Sequence, residues 1–144
     1  MIAVDSNLLV YAHRGETEWY STSYALLDEL ARGRAPWAIP YPCLHEFLRV
    51  VTDPRIYATP TTLDGALDQL SAWVASPTAR LLGEGNDHLE LLSRVAREGR
   101  VRGAAVHDAR IAAICVEHGV RELWTADRDF SRFPSLKTRN PLVG

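Results

Sequence analysis

Met1-Ile2-Ala3-Val4-Asp5-Ser6-Asn7 opens the chain, and the reading of this stretch decides the fold. Ile2-Ala3-Val4 is a short apolar run cut off at once by three polar residues, the pattern of a buried strand followed by a helix cap. Leu8, Leu9 and Ala12 then recur at helical spacing. The same alternation continues outward. Trp37-Ala38-Ile39-Pro40 reads as a second strand, and Pro42 opens a helix over Cys43–Val51. Arg80-Leu81-Leu82 is a third strand, Glu122-Leu123-Trp124-Thr125 a fourth, and Leu136-Lys137-Thr138 a fifth candidate. Between them lies a helix from about Trp19 to Leu30, with Tyr20, Tyr24 and Leu27 turned inward and Gly33 closing it. Leu63, Ala66, Leu67, Leu70, Trp73 and Val74 mark an amphipathic helix. Asn86 or Asp87 caps another helix reaching about Glu98, and Ala104–His118 forms an alanine-rich helix stopped by Gly119. Asp53–Thr61, which holds Pro54 and Pro60, is a loop. Short apolar strands alternating with helices predict an α/β fold, a doubly wound sandwich with a central, mainly parallel sheet of four or five strands flanked by helices.

Composition agrees with a globular chain of that kind. Of 144 residues, 47% are hydrophobic and 24% charged, which excludes a disordered or fibrous protein. No repeat or linker divides the chain, so residues 1–144 are expected to form a single domain. Cys43 and Cys115 have no CxxC spacing and apolar neighbours, so they read as buried free thiols rather than zinc ligands or a disulfide. No basic n-region precedes an apolar stretch at the N-terminus, and no uncharged run approaches the ~18 residues of a membrane span. A cytoplasmic protein with no membrane association is the expectation. Formal net charge is −2, which excludes a generally basic, charge-driven nucleic-acid binder but not a local basic patch.

The placement of the 18 acidic residues is more informative than their sum. Most, including Glu122, fall at polar faces, caps or turns. Asp5 ends the first strand, Glu46 and Asp108 sit in apolar helical stretches, and Asp127 and Asp129 follow the fourth strand. Each has an ordinary structural reading: Asp5 or Asp127 as a cap, Asp108 paired with Arg110 or Arg102, Glu46 paired with Arg49. Jointly they point elsewhere. Ligands of open α/β sheets bind beyond the carboxyl ends of the strands where strand order reverses. If the first and fourth strands are neighbours, Asp5 and Asp127 meet there. Glu46 lies about one and a half turns into the next helix, and Asp108 lies early in a helix returning over the same edge. Several carboxylates in one cleft cannot all stay ionised without a counter-charge. An all-oxygen set selects Mg²⁺ or Mn²⁺, suited to water activation in phosphodiester hydrolysis.

Four ordered stretches carry a resemblance: Met1-Ile-Ala-Val-Asp5-Ser-Asn-Leu-Leu-Val10, His45-Glu46-Phe-Leu-Arg-Val, Val106-His-Asp108-Ala-Arg-Ile-Ala-Ala and Leu123-Trp-Thr-Ala-Asp127-Arg-Asp129-Phe130. Together they resemble the PIN domain, and in detail the VapC toxins of bacterial VapBC toxin–antitoxin pairs, in the large mycobacterial-type branch. The resemblance spans nearly the whole chain. It implies a PIN-like fold and a Mg²⁺-dependent endoribonuclease toxin (Mn²⁺ a substitute) that arrests growth, is neutralised by a cognate VapB-type antitoxin and forms a homodimer. Carried over, Asp5, Glu46, Asp108 and Asp127 match the catalytic acids, and Asp5, Asp108, Asp127 and Asp129 match metal ligands. Either Asp127 or Asp129 matches the main acid of the last motif. Ser6 and Asn7 match positions that orient Asp5, and Thr125 matches a hydroxyl beside the metal.

Lys137 is the single lysine among 16 basic residues, and the arginine fork suits RNA phosphate. Arg94, Arg97, Arg100, Arg102 and Arg110 are a candidate substrate rim, and a solvated face is the equal alternative. Trp37, Tyr41 and Tyr57 are candidates for base stacking, whereas Trp19, Trp73 and Trp124 read as core or interface. His45–Glu46 and His107–Asp108 do not form dyads, because adjacent helical residues do not face each other. No GxSxG, GxGxxG or P-loop is present. The alternatives to a toxin nuclease are a non-catalytic RNA-binding or interaction module on the same fold, and a housekeeping PIN nuclease without an antitoxin.

Overall fold

Five parallel strands, β1 (Ile2–Val4), β2 (Trp37–Pro40), β3 (Ala79–Leu82), β4 (Glu122–Trp124) and β5 (Thr138–Arg139), form one sheet in the order β3-β2-β1-β4-β5. The computed structural model describes residues 1–144. Six helices cover the sheet: α1 (Ser6–His13), α2 (Tyr20–Arg32), α3 (Tyr41–Val51), α4 (Leu63–Val74), α5 (His88–Gly99) and α6 (Val106–Glu117). This is the doubly wound sandwich expected, with β1 and β4 adjacent at its centre.

The central strands β1, β2 and β4 send successive side chains into cores on both faces of the sheet. Val4, Trp37, Ile39 and Trp124 join one core with Leu8, Leu9, Phe47, Leu70 and Trp73. Ala3, Ala38 and Leu123 join the other, with Val95, Ile114, Phe130 and Phe133. Ala109, Ala112 and Ala113 of α6 are fully buried on that second face, opposite the small Ala3 and Ala38. Small residues on both surfaces bring α6 close to the sheet. Ala112→Leu is therefore expected to overpack this contact and cost about 1–3 kcal/mol, read as a lowered urea midpoint.

Element edges follow local chemistry. Asp5 caps α1, accepting from the Ser6 amide, and Thr62 caps α4 through the Gly65 amide. Gly119, at φ 67°, takes the left-handed position just after α6. The alanine-rich segment departs from one continuous helix: Gly103, at φ 60°, starts a short 3₁₀ turn over Gly103–Ala105 before α6 begins. The fifth strand lies at Thr138–Arg139, two residues beyond Leu136, which is buried against the α6 face.

Four inward assignments are corrected. Tyr24 is 55% exposed, and on α4 only Ala66, Leu70 and Trp73 are buried while Leu63, Leu67 and Val74 face outward. Glu122 is buried within β4, where the Trp124 indole Nε1 donates to it at 2.9 Å and Lys137 lies 3.4 Å away. Trp37 is wholly buried and cannot stack on a base. No helix is long and apolar enough to cross a membrane.

Candidate active site

The strand order reverses between β1 and β4, since the chain leaves β1 for β2 on one side and later returns to β4 on the other. The crevice beyond their carboxyl ends is where an open α/β sheet takes its ligand. Asp5 sits there, buried, with every oxygen engaged. Its Oδ1 accepts from the Ser6 amide at 2.7 Å and from the Cys43 thiol at 3.4 Å. Its Oδ2 accepts from the Thr125 hydroxyl at 2.7 Å and from Asn7 Nδ2 at 3.4 Å. Thr125 Oγ1 also accepts from Asn7 Nδ2 (3.3 Å) and from the Asp127 amide (3.0 Å). One hydroxyl thus ties the end of β1 to the end of β4. Burial raises the Asp5 carboxyl above its ordinary value, while the Thr125, Ser6 and Cys43 bonds pull it back.

Over this edge opens a cleft of about 740 Å³, whose lining includes Asp5, Glu46, Asp108 and Asp127. Asp108 comes from the first turn of α6, and Asp127 caps a 3₁₀ turn by accepting from the Asp129 amide at 2.9 Å. Carboxylate oxygens of Asp108, Asp127 and Asp129 lie within 4.8 Å of one another. The Asp108 carboxyl is pushed up to about 6 by burial and by the charges of Asp127, Asp5 and Asp129, and Arg132 offsets only part of this. A set of oxygens that repel one another is what a hard divalent cation neutralises, so the residues present fit Mg²⁺ or Mn²⁺.

Glu46 lines the same cleft but turns to Arg49, which donates through Nη2 at 2.7 Å and Nε at 3.1 Å. That bidentate contact lowers the Glu46 pKa. Arg110 pairs with Glu84 rather than with Asp108. Of the candidate arginine rim, Arg110 alone reaches the cleft, and Arg49 joins it from α3. Tyr57 lies under the Arg14 guanidinium, 4.0 Å from ring centroid to carbon, and away from the cleft lining. His45 and His107 face the cleft from α3 and α6, a role not foreseen from their adjacency to acids. Nor was the Cys43 bond to Asp5. The signal for it is positional: Cys43 follows the end of β2, the strand beside β1.

A PIN-domain family profile matches residues 2–136. Ribonuclease VapC43 of Mycobacterium tuberculosis is 36% identical over 144 residues, covering 100% of this chain and 97% of that protein. The chain is a PIN-domain VapC ribonuclease family member. Ribonuclease VapC25 of the same species is 33% identical over 143 residues, covering 99% of this chain and all of the relative. Among solved structures, VapBC2 from Rickettsia felis bound to a promoter DNA fragment superposes with a TM-score of 0.69 at 19% identity, covering 96% of this chain and 98% of that one. VapC20 from M. tuberculosis, described as a sarcin-ricin loop cleaving toxin, gives 0.67 at 17% identity over 95% and 99% of the two chains. These likenesses establish the VapC fold. The family relation fits the acidic cleft at the β1–β4 edge, the part of the fold where Asp5, Asp108 and Asp127 meet.

Proposed function

We propose that this VapC family member is an endoribonuclease toxin that hydrolyses RNA phosphodiester bonds in the cleft between α3 and α6. Asp5, Glu46, Asp108 and Asp127 form its catalytic set, and Asp5, Asp108, Asp127 and Asp129 hold a Mg²⁺ ion, with Mn²⁺ as a substitute. The observation that carries this reading is the convergence of Asp108, Asp127 and Asp129 within 4.8 Å at the sheet's carboxyl edge. When bound, the cation supplies charge against the phosphate oxygens and lowers the pKa of water.

The protein groups do the rest. Thr125, Ser6 and Cys43 fix the Asp5 carboxylate. The Asp129 amide orients Asp127 and leaves its second oxygen without a protein partner. Arg49 and Arg110 on the two walls carry donors whose geometry suits phosphate, and the paired Glu46 and Glu84 keep them in place. Residues 1–144 are taken as one domain acting in the cytoplasm. Tyr24 on α2 and Leu63, Leu67 and Val74 on α4 leave apolar surface exposed, which favours protein partners: a VapB-type antitoxin that neutralises the toxin, and a second copy of the chain.

Purified protein incubated with total RNA is expected to yield fragments with discrete ends when Mg²⁺ or Mn²⁺ is supplied, and intact RNA in EDTA. RNA that stays intact under both conditions but is retained in a binding assay would convert the reading to a non-catalytic RNA module. Growth arrest on expression, relieved by the product of an adjacent small reading frame, separates the toxin from a housekeeping nuclease.

A further inference from the structure

A second cavity, of about 350 Å³, adjoins the acidic cleft and shares Asp127 with it. Arg128, Ser131, Thr138, Arg139 and Asn140 line it and supply hydrogen-bond donors, with Asp127 the one carboxylate on its wall. The two guanidiniums differ from those of the main cleft. Arg49 and Arg110 are each neutralised by a glutamate, whereas Arg128 and Arg139 meet no carboxylate. Asn140 turns its Oδ1 to the Leu142 amide, which leaves its Nδ2 donors without a protein partner. Two guanidiniums outside any ion pair thus stand beside, not inside, the carboxylate cluster.

The placement is fixed by the backbone. Arg128 follows Asp127 directly, one Cα step of about 3.8 Å. Arg139 is in parallel register with Trp124, one strand spacing of about 4.8 Å away. Its carbonyl accepts from the Thr125 amide at 2.9 Å, so β5 is tied to the residue that holds Asp5. Arg128 is thus one residue from the acid cluster, and Arg139 stands on the strand beside the one that leads into it.

We propose that this cavity is a second phosphate subsite, taking the RNA phosphate next to the one cleaved through Arg128, Arg139 and the Ser131 and Thr138 hydroxyls. The proposal rests on the ribonuclease reading above. No aromatic residue lines the cavity, so it holds the backbone and adds no base preference. The strand then runs from the α3–α6 walls, over Asp127, to the β4–β5 edge.

The test uses the full chain in EDTA, so that no cleavage intervenes, and the anisotropy of a short fluorescein-labelled single-stranded RNA of mixed sequence over a salt series. The double variant Arg128→Gln/Arg139→Gln is expected to bind about tenfold more weakly, and its log Kd against log salt slope is expected to flatten by about 0.7, the loss of one single-strand phosphate contact. Arg34→Gln/Arg80→Gln, which removes the same charge around the β3 edge, is expected to leave both quantities unchanged. Equal weakening in the two double variants, or an unaltered slope in the first, overturns the subsite. Cleavage with Mg²⁺ is scored separately. Normal cleavage with unchanged binding by Arg128→Gln/Arg139→Gln defeats the subsite and spares the nuclease. Absence of cleavage by the wild type, with the slope change present, defeats the nuclease and retains the phosphate site.

Discussion

Asp108→Asn is expected to lower RNA cleavage by at least about 10³-fold, a loss of ~4 kcal/mol of transition-state stabilisation, while making the metal-free protein more stable at neutral pH. Both effects have one cause. Asp108 faces Asp127 and Asp129 in the cleft, and burial together with their charge raises its carboxyl to about 6. Its ordinary value is 3.8, so the folded state prefers the protonated acid. Below 3.8 the group is protonated in folded and unfolded chains alike and carries no penalty. As pH rises from 3.8 to about 6 that stability is lost, and at pH 7.5 the metal-free protein bears the full repulsion. The full shift would be worth about 3 kcal/mol, and solvent over a half-exposed group cuts it to roughly 1 kcal/mol. Asparagine keeps the shape and removes the charge, so Tm in EDTA at pH 7.5 should rise by about 2–4 °C and the gain should vanish near pH 4. Mg²⁺ should stabilise the wild type, by about 2.7 kcal/mol at a hundredfold excess over its Kd, and the variant much less. A variant that cleaves normally, or one destabilised in EDTA at pH 7.5, would contradict this account of the cluster.

What could be read ahead of the structure was whatever local chemistry determines. The apolar triplet Ile2-Ala3-Val4 and its polar stop place β1 and the Asp5 cap without reference to the rest of the chain. The convergence of Asp108 and Asp127 at one sheet edge was legible because an acid within an apolar stretch needs an explanation, and strand ends are where α/β sheets take their ligands. What escaped depends on long-range packing. The spacing of Leu63, Leu67 and Val74 is that of a buried stripe, yet β3 and α3 claim only the Ala66, Leu70 and Trp73 side of α4. Glu122 sits in a strand and is nevertheless buried, because an indole two residues along and Lys137 satisfy it. Arg94, Arg97, Arg100 and Arg102 are near Asp108 in sequence, but the Gly103 turn separates α5 from the mouth of the cleft. The cations that reach the site come from α3, from α6 and from the segment beyond β4, and only the tertiary fold brings those three together.

Thr125→Val is expected to lower cleavage about 10–100-fold, the usual loss when a group that orients a metal-binding carboxylate is removed, with Thr125→Ser restoring most of it. The hydroxyl is buried, donates to Asp5 Oδ2 at 2.7 Å and accepts from the Asp127 amide at 3.0 Å. Valine matches threonine in shape but supplies neither bond. Asp5 Oδ2 then keeps only the longer Asn7 contact, at 3.4 Å, and the Asp127 amide loses its acceptor. An unsatisfied buried group costs about 1–3 kcal/mol, so a lower Tm is expected whatever the residue does for activity. The functional role is separated from that cost by the metal. If Thr125 holds Asp5 and Asp127 in register across β1 and β4, the valine variant needs about 10–100-fold more Mg²⁺ for half-maximal cleavage, and saturating Mg²⁺ recovers part of the rate. If the hydroxyl only stabilises the fold, the Mg²⁺ requirement of the folded fraction stays at the wild-type value. Serine retains both hydrogen bonds and loses a methyl group, so it should lower Tm slightly and leave the Mg²⁺ dependence unchanged. An altered Mg²⁺ requirement in valine but not in serine would mark Thr125 as the clamp between the two strand ends that carry the acidic set.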